Sequence, residues 1–481
     1  MRSIVTAPFI FIIATLLATL FGWLIWLDNY ELTLFPVALA LLYFAIYETE
    51  KVFISLAFLT PLSVNIEEFT QSFGLYIPTE PLLFGLMILL TAFEIQNPFL
   101  RKEIWKSPII HAVFFYLAVV IITGITSSHP LISFKFLLAR LWFIVPLLIF
   151  GTHFFQEEKN RIRFLWLFVI ATCVAITYTL AHHSMYAFGE KEGHWVMWPL
   201  FKDHTIYGAV VALVLPLAIA LYFSEKHSPL TQAVLITLIL IILVGLYYSY
   251  TRAAWLSVIC AAAVCLVVYF KVNFKFLASI GLIGLVMIFM KWDQIQMELG
   301  RNKFEHTTES FDERLQSATN VTTDASNLER INRWSCAIEM FKQRPIFGFG
   351  PGTYAFEYAP FQEPENLTII STNFGDMGNA HSEYLGALSE MGIMGLLSFS
   401  GIVIAVFFSM ITLYNQLPLS EIKNRVLVMG MIAASTTYFV HALLNNFLDT
   451  DKAAVPIWAM CAMVIVMQMQ LKKKKIFSKL N

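Results

Sequence analysis

Residues 231–271 read TQAVLITLILIILVGLYYSYTRAAWLSVICAAAVCLVVYFK: two apolar runs, 231–248 and 253–271, with one cation, Arg252, at the turn between them. A helix needs about 20 mainly apolar residues to cross a bilayer, and each run supplies that length. The pattern repeats in both directions along the chain. Further candidate spans lie near 5–27, 31–47, 52–64, 75–93, 109–125, 132–152, 164–186, 204–223, 276–290, 392–412, 426–447 and 453–471. Because 52–64 is short and 31–47 carries a proline, these two also read as a re-entrant pair, and the expectation is 12–14 spans. Residues 10–27 are too long and too poor in cleavage signals for a removable signal peptide, so they count as a first span.

Composition agrees. Of the 481 residues, 58% are hydrophobic and only 14% charged, with a mean hydropathy of +0.68; a soluble chain carries roughly a quarter charged residues. The expected fold class is an all-α integral membrane protein. Cys173, Cys260, Cys265 and Cys461 lie in apolar runs and Cys336 lies alone in a polar stretch, which offers neither a disulfide framework nor zinc-ligand spacing. There is no internal repeat and no low-complexity tract.

Lys and Arg in the short loops set orientation. With the N-terminus inside, the inner segments hold eighteen, from Arg2 and Lys51 to Lys472–Lys475 and Lys479, and the opposite short loops hold four: Lys191, Lys202, Arg252 and Lys452. The basic tail therefore reads as a cytoplasmic stop, not a nucleic-acid patch. It follows that the one long polar segment, 291–391, lies outside. The expected organisation is an N-terminal bundle (1–290), a large external loop carrying the chemistry (291–391), and C-terminal helices with a basic tail (392–481).

Ionisable groups within spans are costly and are functional candidates by default. Lys135 and Arg140 fall in the outer half of the sixth span, Arg252 at the turn from the ninth to the tenth, and Lys202 at the outer mouth of the eighth, beside Asp203 and His204. Snorkelling to headgroups is the plain alternative for Lys135 and Lys202. The external segment is acidic, with 15 Asp and Glu against 8 Lys and Arg. Even so, Arg330 and Arg333 are concentrated in LERINRW, ahead of the turn RPIFGFGPGTY. Arginine's planar fork suits phosphate oxygens, so converging arginines at the outer surface would suit a lipid pyrophosphate. For Arg333 an ion pair with Glu329 or Glu339 is the simpler reading.

His381 opens the last motif, NAHSEYLGALSEMGIMG (379–395). Imidazole titrates near neutrality and can take a proton from a hydroxyl. A pKa close to the ordinary 6.5 is expected for it, with Glu383 or Glu390 offsetting nearby arginines. Gly392 and Gly395 would let the start of the following helix pack closely against its neighbours.

Three motifs in order then resemble the O-antigen ligase family and its polymerase relatives. His381, Ser382, nine residues and Gly392-Ile-Met-Gly395 fit the ligase signature at every position. TRAAWL (251–256) is similar to a Thr-Arg-Gly-x-Trp-Leu element, with Ala253 in place of glycine, and ERINRWSCAIEMFKQRPIFGFGPGTY (329–354) to a Glu-Arg-x-x-x-Trp segment containing Trp334 and the glycine turn after it. The resemblance is close over about 250–400; the first half matches only as a many-span hydrophobic chain.

The resemblance implies a GT-C-like glycosyltransferase of the bacterial inner membrane, multi-pass, with its active site facing the periplasm. It implies transfer from an undecaprenyl-diphosphate-linked glycan to a sugar hydroxyl of a glycolipid such as lipid A-core, or to another surface acceptor. That transfer would be inverting and metal-independent, with no cofactor and no nucleic acid involved. His381 would be the catalytic base and Arg252 and Arg330 the diphosphate ligands, with Arg140 a third candidate and Lys135, Lys202 and Arg333 further ones. A polymerase or a protein O-oligosaccharyltransferase of the same family remains open. A transporter would place paired charges or broken helices near mid-membrane, whereas here the charges gather at one face.

Overall fold

The computed structural model describes residues 43–67, 74–273, 325–364 and 378–480, with positions 15, 19, 20, 22, 23, 290 and 367. The expected spans at 5–27 and 276–290, most of that at 31–47, and residues 291–324 of the long segment lie outside the described residues. The chain divides into two compact units, 1–55 and 56–481, and the second contains nearly all of the described helices.

Helices account for nearly everything described, because a segment in lipid must satisfy its backbone polar groups internally. In chain order they are α1 (Thr49–Leu62), a short ribbon of β1 (Val64–Asn65) with β2 (Tyr76–Ile77), α2 (Thr79–Gln96), α3 (Pro108–Ile125), α4 (Pro130–Phe154), α5 (Glu158–Ser184), α6 (His204–Ser224), α7 (Pro229–Tyr247), α8 (Arg252–Tyr269), α9 (Ala325–Gln343), α10 (Glu383–Gln416), α11 (Ile422–His441) and α12 (Asp451–Leu480). Among the described residues nine of these are long and apolar enough to cross a membrane. The protein is an all-α integral membrane protein.

The local signals are ordinary ones. Prolines open α3, α4 and α7, where the missing N–H costs nothing. Asp203 caps α6 by accepting from the amides of Thr205 and Ile206, and Ser382 caps α10 through the Leu385 amide. In α4, Pro146 falls in a π-helical stretch, Val145–Phe150, just after Arg140. Helices α6 and α12 are buried on nearly all sides, while α7 and α8 expose most of their surface, as a bundle in lipid requires.

Segment 52–64 belongs to the 14-residue α1, short for a crossing. The span expected to begin at 392 starts at a break: Gly392 is non-helical (φ +63°, ψ −159°) and divides α10 into a first stretch from Glu383 and a second that runs to Gln416.

Contacts between loops follow the alternation read from the charges. At one end Lys423 bridges Glu158 and Glu225, each at 2.8 Å, Lys474 pairs with Glu421 at 3.0 Å, and Gln470 donates to the Gln156 carbonyl. At the other end Lys202 pairs with Glu67, His129 with Glu357, and Thr251 donates to the His204 carbonyl.

Candidate active site

The glycine turn and the α10 bend are two halves of one structure. The Gly350 amide donates to the Glu390 carbonyl at 2.7 Å, and the Ile393 amide to the Pro345 carbonyl at 2.8 Å. The carboxylate of Glu390 takes the amides of Gly352 (2.9 Å) and Tyr354 (3.0 Å). Gly392 has φ +63°, and a Cβ there would lie 2.4 Å from the Ile346 carbonyl; at Gly348 one would lie 2.3 Å from the Glu390 carbonyl. No L side chain fits either place. A Cβ on Gly395 would meet the Ala387 carbonyl at 2.2 Å. On its far side the turn rests on the start of α4: the backbone N–H and hydroxyl of Ser128 both donate to the Phe349 carbonyl, and Ser133 donates to that of Pro351.

His381 sits at the head of α10 with φ +46°, an uncommon conformation for a residue with a side chain. Three partners hold it. Its amide donates to Asn379 Oδ1 at 2.9 Å, Trp334 Nε1 donates to its carbonyl at 3.2 Å, and its ring hydrogen-bonds Asn445. Trp334, on α9, thus ties the backbone of His381 to that helix. Below it α9 packs on the turn through a small core of Cys336, Met340, Phe349, Tyr354 and Tyr358.

The expected pKa near 6.5 does not hold. Burial, then the charges of Arg330 and Arg333, lower His381 to about 4, against smaller opposing effects of Glu329 and the Asn445 hydrogen bond. Glu383 and Glu390 do not offset these arginines; they line a cavity with Arg140 instead. His381 is therefore neutral at pH 7, with a nitrogen lone pair available.

The arginines separate into distinct settings. Arg330 lies close enough to His381 and His441 to act on both electrostatically, and His204 and Asp203 share that neighbourhood. Arg252 is the first residue of α8, joined to this neighbourhood by the Thr251–His204 hydrogen bond of 2.7 Å. The approach is close because α6 presents Gly208, where a Cβ would lie 2.6 Å from that of Thr251. Arg333 is buried, its Nε 2.6 Å from Glu329 Oε1 and its guanidinium 4.0 Å above Tyr358. The expected ion pair with Glu329 is present, in the interior instead of on the surface. Lys135 is exposed, and Lys202 is exposed and pairs with Glu67 at 3.3 Å. The structure brings neither lysine against His381.

Arg140 is 8% exposed and faces a different place, a cavity of about 200 Å³ lined by Tyr116, Glu383, Glu390, Asn446 and Asp449 among others. The cavity touches the His381 turn through Asn379, Ala380 and Ser382. Glu383 Oε1 accepts from the Tyr438 hydroxyl (3.0 Å) and the Leu448 amide (2.8 Å). The 445–450 turn that carries Asn446 and Asp449 is anchored by buried Lys452, whose Nζ donates to the carbonyls of Thr60 and Ser63 at 2.7 Å. Sequence reasoning missed Tyr116, Asn445, Asn446 and Asp449; the available signal was the polar cluster NNFLDT between two spans.

No curated protein matches the chain. Residues 236–400, about a third of the chain, match the family model described as O-antigen ligase. Arg252, Arg330, Trp334, His381, Gly392 and Gly395 all fall inside that match, so it is this segment of the chain that is similar to the O-antigen ligase family.

Proposed function

We propose that the protein is a ligase that moves a glycan from undecaprenyl diphosphate to a sugar hydroxyl of a glycolipid acceptor such as lipid A-core, at the periplasmic face of the bacterial inner membrane. The observation that carries this reading is the convergence of a neutral histidine and an arginine neighbourhood at one end of the bundle, within the segment that matches the ligase family.

In the reaction the acceptor oxygen attacks the anomeric carbon as the bond from that carbon to the diphosphate oxygen breaks. The hydroxyl proton passes to the free nitrogen of His381. The charge on the departing diphosphate is held by Arg252 and Arg330, preformed cations in a site with little water. Direct attack inverts the anomeric centre and calls for neither metal nor ATP. Binding of the diphosphate also counters the arginine field on His381, so the base strengthens when donor is present. The low pKa of the empty site and a useful base in the loaded one are then compatible.

A deletion strain tests the reading. Loss of surface-attached polymer with accumulation of lipid-linked polymer is the expected result. Accumulation of single lipid-linked repeat units would instead identify a polymerase, and an unchanged glycolipid with loss of glycosylated protein an oligosaccharyltransferase.

A further inference from the structure

The expected role of Arg140 as a third diphosphate ligand conflicts with its surroundings. Three carboxyl groups, Glu383, Glu390 and Asp449, line the same cavity. Ionisation of any one of them removes the net positive charge that a diphosphate needs. Among the described residues Arg140 nevertheless makes no ion pair within 4.0 Å, and its Nη1 is buried without a hydrogen-bond partner. The Asn446 side-chain oxygen is also buried and unpartnered. A cation and several acceptors are thus held apart across a space of about 200 Å³, with polar atoms left over on its walls. An unpaired buried polar group costs about 1–3 kcal/mol, so a lining of this kind fits a ligand that supplies the missing partners.

The geometry points to a sugar-ring subsite. Each sugar hydroxyl donates one hydrogen bond, which a carboxylate or Asn446 can take, and accepts others, which Arg140 can give. Tyr116, Phe136, Tyr354 and Phe399 add aromatic surface to the lining, and the volume suits a single ring better than an oligosaccharide. A metal ion is the poorer fit, because no group of three His, Cys, Asp or Glu among the described residues is arranged to hold one.

This proposal rests on the ligase reading for which sugar occupies the cavity. Arg330 acts on His381 electrostatically, the cavity meets the His381 turn through Asn379, Ala380 and Ser382, and Asn446 adjoins Asn445, which hydrogen-bonds the His381 ring. A displacement needs nucleophile and leaving group on opposite sides of the reacting carbon. With the diphosphate on the arginine side, the cavity holds the acceptor ring, uncharged or amino-bearing, with its hydroxyl toward His381. Arg140, Asn446 and Asp449 then determine acceptor specificity.

Saturation-transfer NMR on the purified full-length protein, with methyl glucoside and methyl glucuronide as probes, tests the subsite without relying on any transfer activity. The expected result is a signal from the glucoside that is lost in Asn446→Ala, and a much weaker one from the anionic glucuronide. Asn446→Asp serves as a second variant, and thermal melting verifies that both fold. A glucuronide signal equal to that of the glucoside, or an undiminished glucoside signal in both variants, would overturn the subsite. In a transfer assay, Asn446→Ala and Asp449→Asn should raise the acceptor KM at least ~10-fold while leaving the donor KM nearly unchanged; a rise in donor KM instead would overturn the acceptor assignment. If the wild-type protein binds glucoside yet transfers no glycan, the ligase reading fails while the sugar site stands.

Discussion

His381 combines a position legible in the sequence with an electrostatic state that was not. Its place in a His-Ser-x9-Gly-x-x-Gly string marks it out, but its pKa depends on burial and on α9 residues 48 and 51 positions away in the chain. Two pH effects follow. The base form is lost below the pKa, so kcat/KM, which reports the free enzyme, should fall only near pH 4, and the acid limb of kcat should lie higher because bound diphosphate offsets Arg330 and Arg333. Arg330→Gln should move the kcat/KM limb upward; a wild-type limb near 6.5 in kcat/KM would contradict the setting described. For stability, the folded pKa lies below the unfolded value of about 6.5, so the folded state binds fewer protons between the two. The contribution of His381 is therefore complete above 6.5 and is lost as pH falls toward 4. Arg252→Lys and Arg330→Lys retain charge but lose the fork, and each should lower turnover by roughly 10–100-fold; near-normal turnover in steady-state assays would remove them from the diphosphate site. Arg140 was visible as a charge inside a span, but its three carboxyl neighbours come from α10 and the 445–450 turn, which no local pattern displays.

The bend in α10 makes a sharper claim about one glycine. Gly392→Ala sets a side chain at φ +63° against the Ile346 carbonyl, and strain of this kind costs about 1–3 kcal/mol before any clash is counted. Its melting temperature and transfer rate should both fall. Gly401, in the same helix, has nothing within 4 Å of the position its Cβ would take, so Gly401→Ala should be neutral or slightly stabilising. Equal behaviour of the two variants in a melting experiment would refute the locking of the bend by the 345–352 turn. The Gly-x-x-Gly pair and the glycine-rich turn were each legible as close-packing signals. That they close on one another was not, since their hydrogen bonds span about forty residues of sequence.

The bundle as a whole follows from hydropathy and loop charge, because lipid leaves the backbone few alternatives to helices. The alternation of loops is testable directly. On a background lacking native cysteines, Lys342→Cys and Lys474→Cys, both exposed, should react with an impermeant thiol reagent from opposite sides, Lys342→Cys from the periplasm. Reaction of Lys342→Cys only from the cytoplasm would invert the assignment. The central claim, that this neutral histidine drives glycan transfer from a lipid diphosphate, is tested most directly with purified protein, a polyprenyl-diphosphate glycan and a sugar acceptor. Transfer rate and donor affinity are measured for wild type and His381→Ala. The expected result is transfer slowed by about 10²–10⁴-fold with donor binding retained; transfer at a near-wild-type rate would contradict the account.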